Sequence, residues 1–323
     1  MSYRELEQPI RGIIPPVVTP LVGPDRLDAA GLERLLEYMI SGGVHGLFIL
    51  GSCGEGPSIS HRVRRELVDR TCAIVDGRVP VLVGITDPCL AESLLLARHA
   101  AETGADAVVL SAPYYYPITQ DELVAYTRQV AAESPLPVTL YNMPLLTRTT
   151  FELESVQRLV DERSIVGMKD SSGDLEYFRN LCAIGRQRDD WSLLVGQEHL
   201  LLQALEMGAD GGVCGGANVW PQAFVQLYEA SLATTDTAIA EQGDVLPHLV
   251  DQTDRLAQIY RVACDTITAP SVIKGLKAAL SALGLTTDDL APPLKTLSAA
   301  EQTQVATILR ELGFQLGLQP QRV

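Results

Sequence analysis

Lysine is scarce in this chain. Of its 25 basic residues only four are lysine, Lys169, Lys274, Lys277 and Lys295, and Lys169 stands alone in the first 273 positions. Basic charge is short overall, with 40 acidic residues and a net charge of −15. That balance argues against nucleic acid or an anionic membrane as the main partner. The six cysteines form no CxxC pair, and most sit in apolar runs. They read as free thiols in a reducing cytosol. The five histidines form no HxxxH or HxH pair, so no transition-metal site is expected. No apolar run reaches the roughly 18 residues that a membrane span needs. The segment "MSYRELEQPIRG" is too polar for a signal peptide. A cytoplasmic location is the expectation.

What the chain does have is alternation. Eight short apolar runs end in Gly, Pro or a polar cluster: "GIIPPVVTP" (12–20), "GLFILGS" (46–52), "VPVLVGIT" (79–86), "ADAVVLSAP" (105–113), "LPVTLYN" (136–142), "SIVGMKD" (164–170), "WSLLVGQ" (191–197) and "ADGGVCG" (209–215). Helical-period stretches lie between them. In "LDAAGLERLLEYMISGG" Leu32, Leu35, Leu36 and Met39 fall on one face, and Gly42 or Gly43 can close the helix. The runs are too uniformly apolar for half-exposed antiparallel strands, so buried parallel strands with crossover helices are expected. Eight such units predict an α/β fold, a (β/α)8 TIM barrel over residues 1–234. Residues 235–323 predict a C-terminal helical extension. A doubly wound sheet is the rival, but no GxGxxG follows the first run.

Barrel chemistry sits where strands end at their C-terminal face. Lys169 ends the sixth run. A solvated rim charge in this arginine-rich chain would be arginine; a primary amine is what lysine adds. An amine in an apolar pocket attacks a carbonyl and forms a Schiff base. Such chemistry needs a proton shuttle, and Tyr141 ends the neighbouring run within reach across adjacent strands. "GSCGEG" (51–56) offers a turn whose glycines expose backbone N–H groups, a nest for a carboxylate or phosphate. Ser52 is placed to relay a proton to a tyrosine, and Glu55 to cap or brace the turn.

In these residues the chain resembles the dihydrodipicolinate synthase / N-acetylneuraminate lyase family of class I aldolases. The likeness runs from "PPVVTP" through the C-terminal helices. "GSCGE" resembles the family's G-[ST]-T-G-E loop, "YNMP" its Y-N-x-P, "GMKDSSGD" its G-x-K segment and "APYYYP" its aromatic run. The resemblance implies that Lys169 forms the Schiff base with pyruvate or another 2-oxo acid, that Tyr141 is the general acid/base, and that Ser52 relays protons. It implies that the Gly51–Cys53 turn holds the substrate carboxylate through the amides of Ser52 and Cys53. Val213 would line the pyruvate pocket through its backbone. Tyr115 would reach into a neighbouring subunit's site, which implies a homodimer, usually within a homotetramer. No metal or organic cofactor is implied.

Three departures bear on the substrate. The synthases carry arginine at the position of Leu146, and here the nearest arginine is Arg148. Losing that guanidinium argues against a semialdehyde amino acid as the second substrate. Sialic acid lyases place hydroxyl-binding groups near His199 and Gly215, where this chain has "GQEHL" and "VCGGAN". Cys53 replaces the loop threonine with a weak thiol donor. The expectation is aldol cleavage or condensation of a 2-keto-3-deoxy sugar acid, with pyruvate and an aldehyde as the small-molecule partners. Dihydrodipicolinate synthesis, dehydration of a keto-deoxy sugar acid and a non-catalytic 2-oxo-acid-binding protein are the alternatives.

Overall fold

The computed structural model describes residue 6, residues 9–232 and residues 245–317. All eight apolar runs become strands: β1 (Gly12–Ile13), β2 (Leu47–Ile49), β3 (Val81–Gly84), β4 (Ala107–Ser111), β5 (Val138–Asn142), β6 (Ile165–Asp170), β7 (Ser192–Val195) and β8 (Gly211–Gly212). They form one parallel sheet in the order β1-β8-β7-β6-β5-β4-β3-β2. A parallel bridge between Pro16 and Phe48 joins the two ends, so the sheet curls into a ring. Helices cross over between the strands. The first, Ala29–Ser41, starts where the Asp28 side chain accepts from the Gly31 amide, and it buries Leu32, Leu35, Leu36 and Met39 as their spacing predicts.

The strands divide their side chains by parity. Phe48, Leu82, Val109, Tyr141, Leu194 and Val213 belong to one small buried cluster with Ile14. Their immediate neighbours Leu47, Ile49, Val83, Leu110, Leu140 and Val195 belong to the large cluster shared with the helices. The first set faces into the ring and the second faces the helical layer, as the two-residue period of a strand demands.

The C-terminal helices Val245–Leu256, Ala269–Ala282 and Ala299–Glu311 follow the expected plan. The predicted helix over 238–264 ends sooner, passing into a tighter turn at Ala257–Arg261. The expected boundary at residues 234/235 lies outside the described residues. Helix Ala269–Ala282 packs on the turn Gly215–Asn218 that follows β8. The C-terminal layer therefore lies against the end of the barrel where the candidate chemistry is. Among the described residues no helix is long and apolar enough to cross a membrane.

Asn218 closes the seam where the chain returns to β1. Its fully buried side chain accepts from the Val18 amide at 3.0 Å and donates to the carbonyls of Pro16 at 3.1 Å and Gly215 at 2.9 Å. Asn218→Ala strands a buried N–H and two buried carbonyls, so a loss of about 3 kcal/mol is expected. Urea denaturation checks it; a loss below about 0.5 kcal/mol, the level of an ordinary surface change, would mean the seam is held elsewhere.

Candidate active site

Lys169 is the penultimate residue of β6. In register it pairs with Tyr141 of β5 on one side and Leu194 of β7 on the other. Both partners face into the ring, so the lysine does too, and it is only 5% exposed. Its Nζ lies 4.1 Å from the centre of the Tyr141 ring and 5.1 Å from that of Phe48. The two rings meet edge to face. Tyr141 is 8% exposed, and its hydroxyl is 3.3 Å from Ser52 Oγ. Three strand ends thus bring an amine, a phenol and a hydroxyl together, in the order that a relayed proton would travel.

The neighbouring residues hold this arrangement in place. Asn142 Nδ2 donates to Asp170 Oδ1 at 2.8 Å, directly beside the Tyr141–Lys169 pair, and Asn142 Oδ1 accepts from the Phe151 amide. Ser172 Oγ donates to the other Asp170 oxygen at 2.8 Å. Burial pushes the Asp170 carboxyl up, against the donors Asn142 and Ser172. Gly196, just past β7, leaves room for the lysine. A Cβ there would stand 2.8 Å from Lys169 Cε and 1.9 Å from Ser171 Oγ.

The turn after β2 holds Gly51, Ser52 and Cys53 at the mouth of the ring. Gly51 is buried, while Ser52 and Cys53 are half-buried. Ser52 and Gly51 use their carbonyls to accept from the amides of Glu55 and Gly56. Among the described residues the Ser52 and Cys53 amides donate to no backbone or side-chain acceptor. Burial raises the Cys53 thiol to about 11, with Lys169 pulling it down and Glu198 and Glu55 adding to the rise. Val213 lies in the inward cluster with Tyr141, its amide donating to Val195.

Two expected site residues stand apart from this group. Tyr115 is 74% exposed and meets the Tyr116 ring at right angles, 4.9 Å between centres. Leu146 is 42% exposed on the short helix Pro144–Thr147 beyond β5.

Sequence reasoning passed over Asn142 and Asp170 as partners, the need for Gly196, and Glu198. Glu198 Oε2 accepts from the Gly216 amide at 2.7 Å. Burial pushes its carboxyl up, while that amide and the Tyr260 hydroxyl work the other way. It also missed Lys277, which is 1% exposed and faces Glu55. Among the described residues no group of three or more His, Cys, Asp or Glu side chains could hold a metal ion.

The profile of the Dihydrodipicolinate synthetase family matches residues 9–312. A solved dihydrodipicolinate synthase from Bacteroides thetaiotaomicron superposes with a TM-score of 0.87 at 40% identity, covering 95% of this chain and 100% of that one. YagE from Escherichia coli K12, a prophage protein of the dihydrodipicolinic acid synthase family solved in complex with pyruvate, superposes with a TM-score of 0.83 at 30% identity, covering 94% and 98%. The "Probable 2-dehydro-3-deoxy-D-pentonate aldolase YjhH" of the same organism is 36% identical over 232 residues, 70% of this chain and 77% of its own.

The raised Cys53 thiol yields a pH prediction. Thiolate is the reactive form, and a thiol near 11 is almost wholly protonated at neutral pH. Its alkylation by iodoacetamide, followed by peptide mapping, is expected to climb about tenfold per pH unit from pH 7 toward pH 10. A plateau near the free-cysteine value of about 8.5 would contradict the burial argument.

Proposed function

This chain belongs to the dihydrodipicolinate synthetase family, and within it we propose a lyase that works through a Schiff base between Lys169 and a 2-oxo acid. The observation that carries the reading is the convergence of the Lys169 amine, the Tyr141 phenol and the Ser52 hydroxyl inside the ring. The amine adds to the C2 carbonyl of the substrate, and the carbinolamine loses water to leave a protonated imine. That imine is the electron sink. Tyr141 takes the proton from the C4 hydroxyl, the C3–C4 electron pair passes into the imine, and an aldehyde leaves. The enamine that remains picks up a proton at C3. Water then releases pyruvate and restores the amine. Ser52 carries the proton to and from Tyr141, and the unengaged Ser52 and Cys53 amides, with Gly51 letting the turn form, receive the carboxylate. Val213, just past β8, walls the pocket.

The proposed substrate is a 2-keto-3-deoxy sugar acid, cleaved to pyruvate and an aldehyde. Leu146 in place of a guanidinium supports it, as does the likeness to the aldolase YjhH. The synthase reading has its own support in the likeness to the Bacteroides thetaiotaomicron enzyme. A homodimer or homotetramer in the cytoplasm is part of the proposal, and the exposed Tyr115–Tyr116 pair supports it as a contact surface.

Two assays separate the readings: pyruvate release from 2-keto-3-deoxy pentonates and hexonates, and pyruvate consumption with aspartate semialdehyde. Turnover in the first and none in the second is expected; the reverse result would overturn the use of Leu146. Tyr141→Phe is expected to lower kcat by roughly 10²–10⁴-fold with the circular dichroism spectrum kept. Gly196→Ala, which forces a methyl toward Lys169 Cε, is expected to lower kcat by about 10²-fold while Tyr141 and Ser52 remain. Full activity in either variant would remove the corresponding part of the mechanism.

A further inference from the structure

A buried ion pair joins the C-terminal helices to the turn after β2. Lys277, on helix Ala269–Ala282, holds its Nζ 2.5 Å from Glu55 Oε1. Both side chains are buried. The second carboxylate oxygen, Oε2, accepts from the Ala291 amide at 2.8 Å. Lys277 Nζ also donates to the Asp289 carbonyl at 2.6 Å. Glu55 is therefore gripped from two points of the C-terminal layer.

The turn that Glu55 ends is a constrained one. Leu50 and Glu55, neither of them glycine, have φ of +60° and +53°. Such backbone persists only where the surroundings over-determine it. Gly56 must be glycine, because a Cβ there would stand 2.3 Å from the Leu50 carbonyl oxygen. Thr19 Oγ1 fixes the middle of the turn by donating to the Gly54 carbonyl at 2.5 Å. The Glu55 amide donates to the Ser52 carbonyl at 3.1 Å, so a shift of Glu55 is passed directly to Ser52. Removing one member of a buried pair leaves a charge with no compensation, and the segment that carries it relaxes toward water.

We propose that Glu55 and Lys277 are positioning residues that couple the C-terminal helical layer to the carboxylate-binding turn, so that Ser52 and Cys53 present their amides only when that layer is docked. The inference rests on the carboxylate role given to this turn above. It places a control on substrate affinity in the C-terminal layer outside the ring, through the two contacts that meet on Glu55.

The test compares the full chain with Glu55→Gln, Lys277→Met and the double variant. Hydrogen exchange of peptides covering 50–58 is measured without substrate, with the peptide over helix Ala29–Ser41 as the reference. Pyruvate binding is read from the shift in melting temperature as pyruvate is titrated. Faster exchange confined to 50–58 is expected in each single variant, together with a rise of about tenfold in half-saturating pyruvate. The double variant is expected to do less harm than the two single changes added, since it leaves no lone charge. Glu55→Gln retains shape and an acceptor for Ala291, so it decides the matter if Lys277→Met does not fold. A lowered melting temperature with exchange and half-saturation unchanged would reduce the pair to a brace and overturn the coupling. If the unaltered chain shows no pyruvate shift at all, the reaction proposed above fails, and the exchange comparison alone decides the coupling.

Discussion

One side chain, the buried amine of Lys169, sets the terms for its surroundings. A long polar side chain inside an apolar ring is admitted only where backbone and neighbours make room for it. Strand parity turns it inward, because it lies in register with Tyr141 and Leu194. The faces of Tyr141 and Phe48 then enclose the amine, and the missing Cβ at Gly196 accommodates its stem. The Asn142–Asp170 hydrogen bond ties the two strand ends that carry the phenol and the amine. A slip of one residue between β5 and β6 would turn Lys169 away from the ring, so register and chemistry are fixed by the same contacts.

Around that centre the barrel divides the work. The ring interior supplies the amine and the phenol. The turn after β2 supplies Ser52 and two backbone amides that are not spent on the fold. The C-terminal helices reach the same turn through Lys277 and the Ala291 amide, and they reach the β8 end through packing on Gly215–Asn218. Glu198 and Tyr260 meet near that end, one from the barrel and one from the C-terminal layer. The end of the ring that carries Ser52 and Cys53 is therefore bordered by both parts of the chain.

Much of this could be read in the sequence, for reasons tied to particular residues. Buried parallel strands read as unbroken apolar runs, so all eight were visible. The same uniformity hid which residues face the ring: nothing in "GLFILGS" separates Phe48 from Leu47 and Ile49 until the strands are paired. Lys169 stood out because the chain otherwise prefers arginine. That signal applied equally to Lys277, whose burial came from a helix that looked peripheral. The expectation for Tyr115 came only from family likeness; in a single chain it is an exposed ring on a loop. Gly196 and the Asn142–Asp170 contact were illegible for a simpler reason: they are demands of distance between strands far apart in sequence.

The most direct measurement is reductive trapping. The intact chain is incubated with pyruvate, reduced with borohydride and mapped by peptide mass spectrometry. The account predicts a stable adduct on Lys169, and none on any residue of the Lys169→Arg variant. An unmodified Lys169, or an adduct carried by Lys274, Lys277 or Lys295 instead, would contradict it.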